Sequence, residues 1–366
     1  MSRLSARFYT FARVLSRLPG HLLRKQENSP KRILIAHYLL LGDTLMLTPL
    51  LAKLRAQYPD ADIFMTGQKA AAALYADKPY GVTYLPFHPK DAKSIRRLIA
   101  GGPYDLALVP ADNRYSILAY AMGAKWIVAF SEDKPGYKSW LVDEAISYPD
   151  APAHWADINT SMIPGDYPAS FQASDWSFSV DSLPHIPKSF FVFHVGASSD
   201  LKLWPAERWR KLADKYKEAG FSIVWSGGPG EENIVAEIGC HEDEYDFSGK
   251  LTLIELCCLL QQASAMVCPD TGVAHLGRLA NTPTVCLFGP GAPEVFGNCR
   301  FWSQGNYIAL RRPISCRDQN MMFKRKITWL QRCNRNVDSC SRAAECMNII
   351  TIDDVSQAIN QLLPAD

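Results

Sequence analysis

Four things are scarce in this 366-residue sequence. It has no cysteine before residue 240 and no acidic side chain among its first 25 residues. It has almost no net charge, and no apolar run near the roughly 18 residues that a membrane-spanning helix needs. Each scarcity excludes something. A small secreted disulfide scaffold would spread cysteine pairs through a shorter chain, whereas all ten cysteines here follow residue 239. A formal charge of +2 gives no global basic field, so charge balance does not support nucleic-acid binding. Arg13 and Arg17 interrupt the apolar residues at the N-terminus, so no signal-peptide core forms and the cytoplasm is the expected compartment. The composition, 48% hydrophobic and 21% charged, is that of a soluble globular protein. The length suits two domains better than one.

The first 25 residues carry six basic side chains. Leu4, Phe8, Phe11, Leu15 and Leu18 are spaced to form one helical stripe, which Pro19-Gly20 should terminate. Two readings follow. The helix lies on anionic lipid at the inner membrane face, or it packs on the protein's own surface.

Beyond this leader, apolar β-rich runs alternate with helix-like segments. Strands are predicted at Ile33–His37, Asp62–Met65, Val82–Pro86, Asp105–Val109 and Trp126–Phe130, with helices at Thr44–Gln57 and Ala92–Ala100. Pro149, Pro152, Pro164, Pro168, Pro184 and Pro187 then break the rhythm, which reads as a linker with some local helix. Alternation resumes with strands at Phe190–Val195, Phe221–Trp225, Met266–Cys268 and Thr284–Phe288. Helices are predicted at Ala206–Ala219, Leu253–Gln262 and Ile352–Leu363. The pattern predicts an α/β protein with two doubly wound parallel-sheet domains facing a cleft. Its expected divisions are a basic segment at 1–30, a domain with the linker at 31–185, a second domain with a Cys-rich segment at 186–350, and a final helix at 351–366.

Five short segments follow predicted strands, where α/β sheets bind ligands. Gly42 and Asp43 lie where the first strand hands over to a helix. Asp43 reads as a general base for a hydroxyl or as an ordinary helix cap. Gly196, Ser198, Ser199 and Lys202 supply a close backbone approach, two hydroxyls and a cation, a set suited to a diphosphate beside a helix start. A plain polar loop would look similar. Gly227 and Gly228 precede Glu231 and Glu232, one of which could accept from a ribose diol or simply favour a helix start. Asp270, Thr271 and Gly272 open another helix. His275 lies one turn into it and reads as a ligand contact or a buried structural histidine. Phe288-Gly289-Pro290-Gly291 shapes a pocket wall or a turn.

In order and spacing these segments resemble glycosyltransferase family 9, the bacterial heptosyltransferases. The resemblance rests on Leu41-Gly42-Asp43 with Thr48-Pro49-Leu50-Leu51, and on Lys202-Leu203-Trp204-Pro205 with Arg208-Trp209. It also rests on Gly227-Gly228-Pro229, Asp270-Thr271-Gly272 and Phe288-Gly289-Pro290, and it runs from about Lys31 to the C-terminus. It implies a GT-B architecture of two Rossmann-like domains, inversion at the anomeric carbon and no catalytic metal. By motif position Asp43 would be the base, with Gly42 and Thr44 towards the acceptor. Ser198, Ser199 and Lys202 would hold the diphosphate, Lys202 countering its developing charge. Gly196, Gly227, Gly228, Asp270, Thr271, Gly272 and His275 would line the donor site, and Glu231 or Glu232 would reach the ribose. Three departures stand out. His37-Tyr38-Leu39-Leu40 replaces a serine-containing turn, and Gly291 replaces a threonine. Arg278 stands among usually small residues, either adding charge near the cleft or facing solvent.

Cys316, Cys333, Cys340 and Cys346 could hold a structural zinc or iron, although no C-x2-C pair occurs. Otherwise they are reduced thiols in a loop or form a disulfide. Cys257, Cys258, Cys268 and Cys286 lie on apolar segments and read as core. The expected activity is heptosyl transfer from an ADP-linked donor to a lipopolysaccharide-core or similar glycan. The alternatives are another donor or a protein acceptor, and a catalytically silent glycan-binding member. An NAD-dependent dehydrogenase is disfavoured because no GxGxxG follows the first strand of either domain.

Overall fold

The computed structural model describes residues 3–186, 189–302 and 306–363. Pro187 and the outermost residues of the 1–30 and 351–366 segments lie outside the described residues. The chain divides into two compact units, Met1–Ala169 with Met321–Trp329, and Ser170–Asn320 with Leu330–Asp366. The division thus falls sixteen residues before the expected 185/186, and a short segment from the Cys-rich region belongs to the first unit. The proline-bearing stretch is not a bare linker. Its aromatic and aliphatic residues have found partners, and Trp155, Ile158 and Trp176 are buried.

The first unit begins with helix α1 (Arg3–Arg17), which tightens into a 3-10 helix over Leu18–Leu23, so Pro19-Gly20 ends the α-helix without ending the helical path. Six parallel strands follow: β1 (Arg32–Ile35), β2 (Asp62–Gly67), β3 (Val82–Pro86), β4 (Tyr104–Val109), β5 (Ala124–Phe130) and β6 (Glu144–Ile146). Their order is β3-β2-β1-β4-β5-β6. Ile33 pairs with Ile63 on one side and Leu106 on the other. The near-continuous apolar strands fit a sheet covered on both faces. The covering helices are α2 (Leu41–Leu45), α3 (Thr48–Gln57), α4 (Ala92–Ala100), α5 (Arg114–Ala121) and α6 (Trp155–Thr160). The single helix expected over 44–57 is therefore two. Pro49 sits in the first turn of α3, where its missing N–H costs nothing. Within a continuous helix its ring would strike the Leu45 carbonyl.

One face of α1 packs on the unit. Ala6 and Val14 are buried, the Arg96 guanidinium lies 5.0 Å from the Tyr9 ring centre, and the Tyr120 hydroxyl donates to the Arg17 carbonyl at 2.9 Å. The stripe noted in the sequence is a different face, and it is outside. Leu4 is 76% exposed and Phe8 74%, and Phe11, Leu15 and Leu18 are also exposed. Leu4, Phe8 and Phe11 border an open groove of about 520 Å³ floored by Ile95 of α4 and Ile117 of α5.

The second unit repeats the architecture. Its strands are β7 (Phe190–His194), β8 (Ser222–Ser226), β9 (Tyr245–Asp246), β10 (Ala265–Pro269), β11 (Thr284–Leu287) and β12 (Tyr307–Leu310), all parallel, in the order β12-β11-β10-β7-β8-β9. Helices α7 (Ala206–Glu218), α8 (Glu232–Ile238), α9 (Leu253–Gln262), α10 (Gly272–Leu279), α11 (Pro293–Phe296), α12 (Glu345–Asn348) and α13 (Ile352–Leu362) accompany it. Phe191, Phe193, Trp209 and Trp225 fill the core, as do Cys257, Cys268 and Cys286. An antiparallel pair, β13 (Met321–Met322) and β14 (Arg325–Lys326), lies in the segment that returns to the first unit. In both sheets the chain reverses direction of growth beside the first strand, between β1 and β4 and between β7 and β10. That reversal opens a crevice at the strands' carboxyl ends.

Candidate active site

In the first unit Asp43 follows β1. It is not a helix cap. Leu40 holds the cap position without a side-chain bond, and Asp43 lies in the first turn of α2, where the helix's partial positive charge favours a carboxylate. Asp43 is half-buried. Tyr148, within electrostatic reach of Asp43, is half-buried, and its hydroxyl is buried with no hydrogen-bond partner. Burial pushes the Tyr148 phenol up, Arg325 opposes this, and the carboxylates of Asp133 and Asp43 add to it. Gly42 is buried. Thr44, expected to face an acceptor, is buried too, and its hydroxyl donates to the Leu40 carbonyl at 2.9 Å. Leu40, one of the departures from the family pattern, is exposed.

The second unit brings the other motifs together. The loop after β7 closes in a short turn, Asp200–Lys202. From it the Lys202 ammonium donates to the Asp270 carboxylate at 2.9 Å and to the Asp270 carbonyl at 2.7 Å. Residues 68 positions apart in sequence thus meet at the β7/β10 reversal. Lys202 is delivered by its own motif. The Trp204 indole donates to the Ile350 carbonyl at 3.0 Å, the Arg208 guanidinium reaches the same oxygen, and Trp209 is fully buried. Asp270 is held against Gly291, where a Cβ would come within 2.4 Å of its carboxylate oxygen. A side chain at position 291 would push that carboxylate from its present place.

Glu231 and Glu232 part company. Glu231 accepts from the Gly228 amide at 2.5 Å and lies so close to Gly196 that a Cβ there would be 1.7 Å from its carboxylate. Glu232 turns away, accepting from the Gly230 amide at 3.2 Å beside Gly249. Ser198 is exposed and Ser199 half-exposed on the Lys202 loop. Thr271 caps α10 by position, yet its hydroxyl is buried without a hydrogen-bond partner. Gly272 starts the helix and His275 is buried within it.

The Cys-rich segment packs over the Phe288–Gly291 loop. Met347 is fully buried, and a Cβ on Gly289 would lie 2.4 Å from its sulfur. The Cys333 amide donates to the Pro290 carbonyl at 2.9 Å, and Arg317 donates to the Gly289 carbonyl at 2.8 Å. Cys316, Cys333, Cys340 and Cys346 are all reduced and near one another. Burial raises the Cys346 thiol, Arg317 opposes this, and the three other cysteines add to it. The backbone amides of Ala344 and Arg342 hold the Cys340 thiol below its ordinary value. No three of these sulfurs lie within 4.8 Å of one another among the described residues. Among the described residues, only Asp214, His241 and Glu244 put three atoms able to ligate a metal within 4.8 Å of one another. That trio is an ion-pair network instead, since Arg210 and Lys217 already neutralise Glu244.

A family model, Glycosyltransferase family 9 (heptosyltransferase), matches residues 92–325. The chain belongs to glycosyltransferase family 9. It is therefore a glycosyltransferase. Lipopolysaccharide heptosyltransferase 3 of Escherichia coli is 23% identical over 357 residues, covering 88% of this chain and 97% of that protein. Among solved structures, a family 9 glycosyltransferase of Veillonella parvula aligns over 92% of this chain and 98% of its own, at 19% identity and a TM-score of 0.69. The Escherichia coli heptosyltransferase WaaC with ADP aligns over 90% of this chain and 99% of its own, at 18% identity and a TM-score of 0.68. The fold is GT-B.

Two arginines of this family 9 chain carry structure that its sequence did not disclose. Arg325 is buried in the first unit and donates to the carbonyls of Ala111 at 2.6 Å, Ser131 at 2.7 Å and Phe130 at 3.0 Å, and to the Asn113 side chain at 2.8 Å. It ties the returning hairpin to the carboxyl ends of β4 and β5. Arg317 does the same for the loop after β11. The only sequence signal was an excess of arginine in a polar segment.

Proposed function

We propose that this chain transfers a heptose, or a closely related sugar, from an ADP-linked donor to a lipopolysaccharide-core or similar glycan acceptor, with inversion at the anomeric carbon. The relatives named above support the sugar and the acceptor class, and WaaC with ADP supports the base. The observation that carries the donor site is the Lys202–Asp270 pair at the β7/β10 reversal, beside the start of α10. Lys202 supplies the fixed positive charge that a leaving diphosphate needs, and the first amides of α10 supply further donors. A diphosphate that takes over Lys202 releases the Asp270 carboxylate to accept from a sugar hydroxyl. Glu231, against Gly196, is the glutamate read as the ribose contact.

In the transfer, an acceptor hydroxyl oxygen bonds to the anomeric carbon as the bond from that carbon to the diphosphate oxygen breaks. The electron pair leaves with ADP, and the hydroxyl proton passes to the Asp43 carboxylate. Removing a general base typically costs about 10²–10⁴ in rate. Asp43→Asn is expected to lower kcat by at least about 100-fold while the protein's melting temperature still rises with ADP. Retained transfer, or loss of the ADP response, removes Asp43 from this role. A melting shift with UDP or GDP in place of ADP keeps the chemistry and discards the heptose donor.

We also infer that α1 lies on anionic lipid. No helix among the described residues is long and apolar enough to cross a membrane. The exposed stripe of α1 is flanked by the exposed Arg7 and Arg13, and no acidic residue occurs in the first 25. Apolar side chains entering the acyl boundary beside arginines at the headgroups is the arrangement that binds such surfaces.

A further inference from the structure

Arg278 is neither near the Lys202–Asp270 pair nor facing solvent. It lies at the far end of α10 and is only 6% exposed. Its guanidinium stacks on Tyr307, with 3.9 Å to the ring centre, and lies 5.4 Å from that of Trp302. One nitrogen, Nη2, donates to the carbonyls of Gly297 and Phe296. Nε and Nη1 have no acceptor, and no carboxylate pairs with this cation among the described residues. Stacking does not satisfy them, because guanidinium N–H bonds lie in the plane of the group and the rings cover its faces. The Trp302 indole N–H is likewise buried without a partner, and the Tyr307 hydroxyl has only the Cys286 thiol beside it.

Arg278, Trp302 and Tyr307 line one cavity of about 220 Å³, together with Phe171, Asn281 and Asn306. At about 30 Å³ per water this holds roughly seven waters, or one small organic molecule. It opens at the amino ends of β11 and β12, the edge of the sheet opposite the Lys202–Asp270 pair. A buried cation without a counter-ion is costly, and so is each buried donor without an acceptor.

We propose that this cavity is a second ligand site, which binds a small carboxylate with a flat apolar body. The carboxylate neutralises Arg278 and accepts from its unpartnered N–H groups, and the body lies among Phe171, Trp302 and Tyr307. A phosphate would need more cations or amide donors than one guanidinium supplies, and it would leave the aromatic walls unused.

Benzoate is the probe, benzamide its neutral counterpart and inorganic phosphate the competing anion, each titrated calorimetrically into the full chain. Benzoate is expected to bind, and benzamide and phosphate to bind at least about tenfold more weakly. Arg278→Met keeps the apolar stem and removes the charged end, and should lose at least about tenfold in benzoate affinity. Ala173 is exposed at the cavity's mouth. Ala173→Trp should block benzoate while leaving the melting temperature of the unliganded protein unchanged, and it decides the matter if Arg278→Met does not fold. The proposal is overturned if benzoate shows no binding tighter than about 10 mM, if phosphate binds as well as benzoate, or if Ala173→Trp binds benzoate like the parent chain.

Discussion

Glu231 and Glu232 are adjacent in sequence and face different surroundings. The sequence offered two equivalent glutamates, because what separates them is the missing Cβ of Gly196, 35 positions upstream. Hydrogen bonds to charged groups contribute about 1.5–3 kcal/mol. Glu231→Ala should therefore weaken ADP binding by roughly tenfold to a hundredfold, and Glu232→Ala should change it little. Calorimetric titration of ADP into both variants checks this, and equal losses would show that neither carboxylate meets the ribose. Asp43 was legible as a carboxylate at a strand-to-helix handover. Its exact place, inside the first turn and not capping it, depends on Leu40 adopting extended backbone, which no residue type announces.

At the scale of elements, the strands were the most legible because buried parallel strands read as apolar runs. The break between α2 and α3 was also written in Pro49, but the apolar periodicity through it masked the interruption. The Cys-rich segment was not legible, since its partners lie at Phe288–Gly291 and contacts of that span leave no local pattern. Its packing makes a test. Met347→Ala should cost about 2–5 kcal/mol as a core truncation, and Gly289→Ala about 1–3 kcal/mol by overpacking against the Met347 sulfur. Because the two side chains occupy one space, the double variant should be less destabilised than the sum, as urea unfolding would show. Simple additivity would mean that the Gly289–Met347 contact is not what holds this loop. For α1, flotation with vesicles tests the lipid reading. Binding should need anionic lipid, weaken with salt, and be lost in Phe8→Glu/Phe11→Glu with the protein still folded. Equal binding to neutral vesicles, or binding by the double variant, would refute it.

Across the whole molecule, two doubly wound sheets followed from the alternation of strands and helices. The point of division did not, because prolines mark turns whether or not the residues between them are buried. Trp155 and Trp176 decide that question by packing. Burial also sets a pH dependence. It lowers the pKa of His37 from 6.5 to about 3 and that of His194 from 6.5 to about 4. Below pH 6.5 the unfolded chain takes up protons at these two positions and the folded chain does not. Stability should therefore fall as pH drops from about 6.5 towards 4, by as much as about 2.7 kcal/mol per pH unit for two protons. Urea unfolding across that range measures the slope, and His194→Gln should flatten it. An unchanged slope in that variant would assign the acid sensitivity to other groups.

The hairpin at Met321–Trp329 belongs to a unit that otherwise ends at Ala169. During synthesis the ribosome must therefore release some 150 further residues before Arg325 can reach the carbonyls of Ala111, Phe130 and Ser131. The nascent first half waits with those acceptors open to water, and it is completed only when most of the second half has emerged. A chain stopped short of residue 321 would lack this clasp however well its own sheet had formed. Completion of the first unit is thus chained to translation of the second, so the clasp forms only on a nearly finished chain.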